Sequence, residues 1–131
     1  MNRLMPIAVK PLAGLAVAAI AGCAPAVPTA APAAIPELTG RTAGAPQQCV
    51  PIQQSGSLRI AARQTLVYGS GRTIWLNRLS TDCPGMTPMN TLIVEPFGSQ
   101  YCRGDRVRSV DPLGGIPGPA CILGDFVPYS R

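Results

Sequence analysis

QTLVYGSGRTIWLNRL, residues 64–79, decides the fold. Two runs rich in β-branched and aromatic side chains, Gln64 to Tyr68 and Thr73 to Leu79, flank Gly69-Ser70-Gly71-Arg72. Glycine supplies the positive φ angles of a tight turn, so the pattern predicts a β-hairpin. Side chains alternate across a strand, which sets Ile74 and Leu76 on one face and Trp75, Asn77 and Leu79 on the other. Trp75 is expected in the core or on a half-buried sheet face.

Outward from the hairpin the pattern stays extended. Leu58-Arg59-Ile60-Ala61 alternates apolar with polar or small residues, Thr91–Glu95 and Arg106–Val110 read as two more strands, and Cys121–Phe126 as a short last one. No stretch of ten residues after the N-terminal region shows helical periodicity. Gly- and Pro-rich segments such as Asp111–Pro119 mark loops. All six aromatic residues lie beyond residue 60, while the first 46 residues are rich in Ala and Pro, so the foldable unit is residues 47–131. The expected architecture is all-β, a small disulfide-stapled antiparallel sheet or partly closed barrel. A unit this small buries a modest fraction of its surface and needs staples.

Five cysteines supply them, and their odd number needs explaining. Cys49, Cys83, Cys102 and Cys121 are spaced 34, 19 and 19 residues apart, with no Cys-x-x-Cys pair and no histidine in the chain. That pattern disfavours a metal site and favours two disulfides in an oxidising compartment. Of the three connectivities open to four cysteines, the expected one joins Cys83 to Cys102 locally and Cys49 to Cys121 across the domain's ends.

Cys23 stands apart. Met1–Lys10 carries two positive charges and no negative one, and Pro11–Gly22 is an uncharged run of 12 small and aliphatic residues. A membrane span needs about 20 apolar residues, so residues 1–22 read as a secretory leader. The leader ends in Ile20-Ala21-Gly22-Cys23, which resembles the bacterial lipobox. The resemblance implies a diacylglycerol on the Cys23 sulfur, cleavage before it, and membrane attachment through the lipid. Ala24, in place of an acidic residue, implies the outer membrane. The alternative is cleavage after Ala24-Pro25-Ala26, releasing a soluble periplasmic inhibitor or binding protein. Residues 23–46 then form a tether, with five prolines and eight alanines among the 23 residues from Ala24 to Pro46. Repeated proline favours a disordered but extended path of about 3.1 Å per residue.

Cys49, Thr65-Leu66-Val67-Tyr68, Trp75-Leu76-Asn77-Arg78-Leu79, Cys83-Pro84-Gly85-Met86, Tyr101-Cys102, Asp105 and Cys121-Ile122-Leu123-Gly124-Asp125-Phe126 follow one another in an order that resembles a family of small proteobacterial exported proteins of unknown function. Members of that family carry a Thr-Ile-x-Phe strand, a Tyr-x-Asn-x-Leu strand, Cys-Pro-Gly-Leu, Leu-Cys and a closing Cys-x-Leu-Gly-x-Phe. The similarity spans about residues 49–129, and the four-cysteine skeleton is its most specific part. Trp75 replaces Tyr, Met86 replaces Leu, and Ala62-Arg63 stands where acidic residues often precede the Thr. The resemblance implies a fold rather than an activity.

From Cys23 onward nine arginines face six acids, a mild excess that argues against nucleic acid as a partner. Without histidine, and with every cysteine expected to be lipidated or paired, Ser-His-Asp and Cys-His hydrolases are disfavoured, which leaves an enzyme as the remoter alternative. No spacing among the six carboxylates suggests an acid–base pair, and no cofactor motif is present, so a non-catalytic binding or structural role is expected. The richest local feature is Cys102-Arg103-Gly104-Asp105-Arg106-Val107-Arg108. On a strand, Arg106 and Arg108 share a face while Val107 packs inward. With Arg103 they form a candidate anion site for an acidic envelope component or protein partner. The plainer reading is a solvated face that discourages aggregation. Arg103-Gly104-Asp105 also spells an integrin-type tripeptide, by coincidence.

Overall fold

The computed structural model describes residues 34–54 and 56–131. The leader, Cys23 and the first part of the tether lie outside the described residues. Ten strands are found among those described: β1 (Thr42–Ala43), β2 (Cys49–Pro51), β3 (Leu58–Ala62), β4 (Thr65–Tyr68), β5 (Thr73–Arg78), β6 (Thr91–Glu95), β7 (Gln100–Cys102), β8 (Arg106–Val110), β9 (Cys121–Ile122) and β10 (Phe126–Ser130). They form three open antiparallel sheets, ordered β1-β10-β5-β4-β3, β2-β7 and β6-β8-β9. The all-β, disulfide-stapled antiparallel fold is as expected, and its strands are divided among three open sheets.

The β4–β5 hairpin forms around Gly69 and Gly71, with φ of 85° and 82°. Its register places Leu66 beside Asn77 and Tyr68 beside Trp75 on one face, and Val67 beside Leu76 on the other. The first face builds the main core with Val50, Ile60, Leu79, Met86, Val107, Leu123 and Phe126. Val67, Ile74 and Leu76 form a second cluster on the opposite face. Gln64 differs from its expected place in the strand. It occupies the β3–β4 turn at φ 61°, its carbonyl accepting from the Leu79 N–H and its amide bonded to Asp82.

An apolar second face must be covered, and the chain covers it with a segment expected to be tether. Residues 34–46 belong to the folded unit, which therefore begins before the expected boundary at residue 47. Pro36–Leu38 forms a 3₁₀ turn, and Ile35 and Leu38 pack on the second cluster. The Glu37 carboxylate meets Arg59 at 2.7 Å. Arg41 donates to the carbonyls of Gly71 (2.8 Å) and Arg72 (2.7 Å) at the hairpin tip. β1 then pairs with β10. Ile35, Glu37, Leu38 and Arg41 act as a strap that proline- and alanine-rich surroundings conceal.

The expected closing strand, Cys121–Phe126, is two strands in different sheets. β9 pairs with β8 and β10 with β5, and the chain crosses between them at Leu123-Gly124-Asp125. The buried Asn77 amide clasps the crossing, donating to the Gly124 carbonyl (2.8 Å) and accepting from its N–H (3.0 Å). A Cβ at Gly124 would sit 2.1 Å from the Arg78 carbonyl oxygen.

The cysteines pair as Cys49–Cys102 and Cys83–Cys121, which corrects the expected connectivity. Strand register, not sequence separation, decides it. Cys49 lies directly opposite Cys102 in the β2–β7 pair. Backbone bonds from Arg103 N–H to Gln48 and from Ile52 N–H to Ser99 show this to be a non-hydrogen-bonded position, where side chains approach most closely. Ser80 N–H donates to the Ile122 carbonyl at 3.0 Å, laying the loop after β5 along β9 and bringing Cys83 to Cys121. Both of these sulfurs are buried. Two disulfides in so small a domain point to an oxidising, extracytoplasmic environment.

Two outcomes follow. Non-reducing digestion with trypsin and chymotrypsin, which parts Cys83 from Cys102 at Phe97, should yield the 49–102 and 83–121 linked peptides and no 83–102 peptide. Gly124→Ala should lower the unfolding free energy by about 2–4 kcal/mol in denaturant titrations, because it forces apart the β5 backbone and the Asn77 clasp.

Candidate functional site

β8 is the central strand of its sheet, and its alternation is as expected. Val107 is buried, while Arg106 is exposed and Arg108 half-buried. The three arginines do not act as one cluster. Arg103 pairs with Asp125 at 3.4 Å. Arg108 donates to the Gly118 carbonyl at 3.3 Å and so holds the β8–β9 loop. Among the described residues, Arg106 has neither an ion-pair nor a hydrogen-bond partner.

Asp105, between them, is structural. The residue is 3% exposed, and its carboxylate accepts from the Cys102 N–H at 2.8 Å, closing the tight turn that ends β7 and begins β8. The Arg-Gly-Asp tripeptide is therefore not presented to a partner. Gly104, at φ 97°, has open space where a side chain would stand. That opening is one wall of a cleft of about 500 Å³ lined by Glu95, Pro96, Phe97, Gly104 and Arg106.

Two of these side chains were not singled out in the sequence. Glu95 ends β6 directly opposite Arg106, so their side chains rise from adjacent strands on one face. No ion pair forms between them. Phe97 follows on the β6–β7 loop and is 90% exposed, an unusual position for one of only two phenylalanines. The strict in–out alternation of Thr91–Glu95 marks Glu95 as outward-facing, but only the β6–β8 register shows what it faces.

The cleft thus presents a guanidinium and a carboxylate with no partner among the described residues, and an aromatic ring, all open to solvent. Such groups can make charge and ring contacts, and none of them is a nucleophile. A smaller cleft of about 270 Å³ lies on the second face among Pro46, Leu76, Arg78, Asp125 and Val127. Its carboxylate is engaged by Arg103, which leaves it without a free anion. No helix among the described residues is long and apolar enough to cross a membrane.

Beneath β7, Tyr68 is fully buried, its hydroxyl donating to the Pro51 carbonyl (2.9 Å) and accepting from Gln53 N–H (2.7 Å). Tyr101 packs edge-on against it at 5.3 Å. Burial, and then the neighbouring Tyr68, raise the Tyr101 phenol above its ordinary value of 10.0. Trp75 is half-buried on the same face as expected, with its indole N–H enclosed and unpartnered.

No family model matches the chain, and neither a curated protein nor a solved structure is similar to it.

The Tyr101 shift sets a direction for alkaline stability. The folded state holds its proton more tightly than the unfolded chain does, so the contribution is intact below about pH 10 and is lost as pH rises through the folded value. Tyr101→Phe should flatten that decline in denaturant midpoints measured between pH 8 and 11. A decline equally steep in the variant would show that Tyr101 is not its source.

Proposed function

We propose that the protein is a bacterial envelope lipoprotein, held through Cys23, whose β domain is a non-catalytic binding module with an anion site at Arg106. The single observation that carries the binding role is Arg106, without a side-chain partner among the described residues, on a solvent-open cleft beside two arginines whose partners are already supplied by the fold. A guanidinium left free in this way is available for bidentate contact with carboxylate or phosphate.

The leader ending in Ile20-Ala21-Gly22-Cys23 supports the anchor, and the two disulfides support export. Pairing the other four cysteines leaves Cys23 alone, as lipidation requires. Ala24 supports the outer membrane as the destination. The resemblance to small proteobacterial exported proteins agrees with this setting.

The strap shortens the expected tether. Ala24–Ala34 separate Cys23 from Ile35, the first packing residue of the strap, a contour of at most about 40 Å whatever its path. The domain would therefore work close to its membrane rather than at the end of a long stalk.

Acetate and N-acetylalanine, titrated into the full mature chain and followed by amide chemical shifts, should move Arg106 and its neighbours. Arg106→Gln should weaken both by at least about tenfold, the scale of a lost charged hydrogen-bond pair. Unchanged binding in the variant would remove the site. Intact-mass measurement of the mature protein tests the anchor: a lipidated N-terminal Cys23 is expected, and an unmodified N-terminus at Val27 would exclude it.

A further inference from the structure

The cleft contains a charge that an anion site does not need. Glu95 and Arg106 are direct cross-strand partners, carry opposite charges and line the same cleft, yet they form no ion pair. Such neighbours usually stabilise a sheet by pairing across it. Here the other three ion pairs of the described residues are made, Arg59 with Glu37, Arg63 with Asp82 and Arg103 with Asp125, and this one is not.

Together with the reading of Arg106 as an anion site, on which this inference rests, the geometry points to a zwitterionic ligand of the α-amino-acid type. We propose that Arg106 takes its carboxylate while Glu95 and the ring of Phe97 take its ammonium.

Three observations favour a zwitterion over a phosphate or a polyanion. First, the two charges that line the cleft are opposite in sign, so a ligand carrying both meets each with its counterpart. Of the neighbouring guanidiniums, Arg103 is paired with Asp125 and Arg108 donates to the Gly118 carbonyl. Second, side chains directly opposite on adjacent strands start about 5 Å apart. An α-amino acid holds its carboxylate and ammonium within that span and can reach both at once. A phosphate in the same place would meet the Glu95 carboxylate as a like charge.

Third, Phe97 follows Glu95 by two residues and stands 90% exposed at the cleft. Leaving a phenyl ring in water gives up the stabilisation that burial would bring. An ammonium held over that ring face gains a cation–π contact, which is stronger where a carboxylate also draws the cation in. The Pro96 ring fixes the backbone between Glu95 and Phe97. Gly104, lacking a side chain, leaves the opposite wall open for the ligand's own substituent.

The probes are alanine, N-acetylalanine and inorganic phosphate, titrated into the full mature chain with amide shifts as the readout. Alanine carries both charges, N-acetylalanine only the carboxylate. Alanine should bind about fivefold to tenfold more tightly than N-acetylalanine, the scale of one exposed ion pair plus one cation–π contact. Glu95→Gln should erase that preference and strengthen phosphate binding. Phe97→Leu should weaken alanine a few-fold and leave N-acetylalanine unchanged, and Arg106→Gln should abolish all three.

All three side chains are exposed, so the variants should fold as the parent does, which far-ultraviolet circular dichroism checks. N-acetylalanine binding as tightly as alanine, with Glu95→Gln silent, would overturn the zwitterion and leave the anion site standing. If no probe moves the Arg106 region, both readings fall.

Discussion

The fold depends on one crossing. Between Ile122 and Phe126 the chain leaves the three-stranded sheet and enters the five-stranded one, and the buried Asn77 side chain holds it there by a reciprocal pair of hydrogen bonds to Gly124. An amide side chain presents one donor and one acceptor side by side, as a neighbouring strand would. Asn77 therefore continues the β5 ladder sideways where no strand is available. Only glycine allows the approach, since any Cβ would strike the Arg78 carbonyl. Around this clasp gather the other ties between sheets. The Gly104 N–H donates to the Leu123 carbonyl and the Leu123 N–H to Asp105. Cys121 is bonded to Cys83, and Asp125 to Arg103.

That arrangement explains which parts of the fold can be read from the sequence. The β4–β5 hairpin is legible because its two strands carry long apolar runs and its turn carries the glycines that strand reversal needs. β2 and β7 are not legible. Each has three residues, and each is a strand because the other lies beside it with a disulfide between them. The pairing of the cysteines fails for the same reason. Sequence separation estimates loop entropy, about 4 kcal/mol for loops of 53 or 38 residues. That quantity barely distinguishes the alternatives, whereas register on β2–β7 admits only one.

The strap shows the opposite failure. The composition of Ala24–Pro46 points to a tether, and proline does favour an extended path. Yet Ile35, Glu37, Leu38 and Arg41 sit together in a segment otherwise small and apolar. Each has a partner that the hairpin makes available only after it folds: the second apolar cluster, Arg59, and the carbonyls at the turn. A segment with no structure of its own becomes ordered where a sheet face would otherwise stay wet. Arg106 and Arg108 on one face were legible in the same partial sense. Their alternation with Val107 was there to see, but the occupancy of Arg108 by Gly118 and of Arg103 by Asp125 arises from tertiary contacts.

In the binding role proposed above, an exposed cleft with one cation, one anion and one ring would hold a ligand weakly, because water competes for every group in it. Weak recognition is not a defect in a protein tied to a surface. For the anchored form proposed above, the short run from Cys23 to the strap confines the domain to a layer a few tens of ångströms deep. A ligand fixed in that layer is then presented at an effective concentration near the millimolar range. Confinement and the open cleft are thus matched: an untethered copy of the same domain would need a deeper, drier site to hold the same ligand. In the proposed form the labour is divided: the disulfides and the Asn77 clasp maintain a small fold, and attachment at Cys23 would let a shallow site suffice.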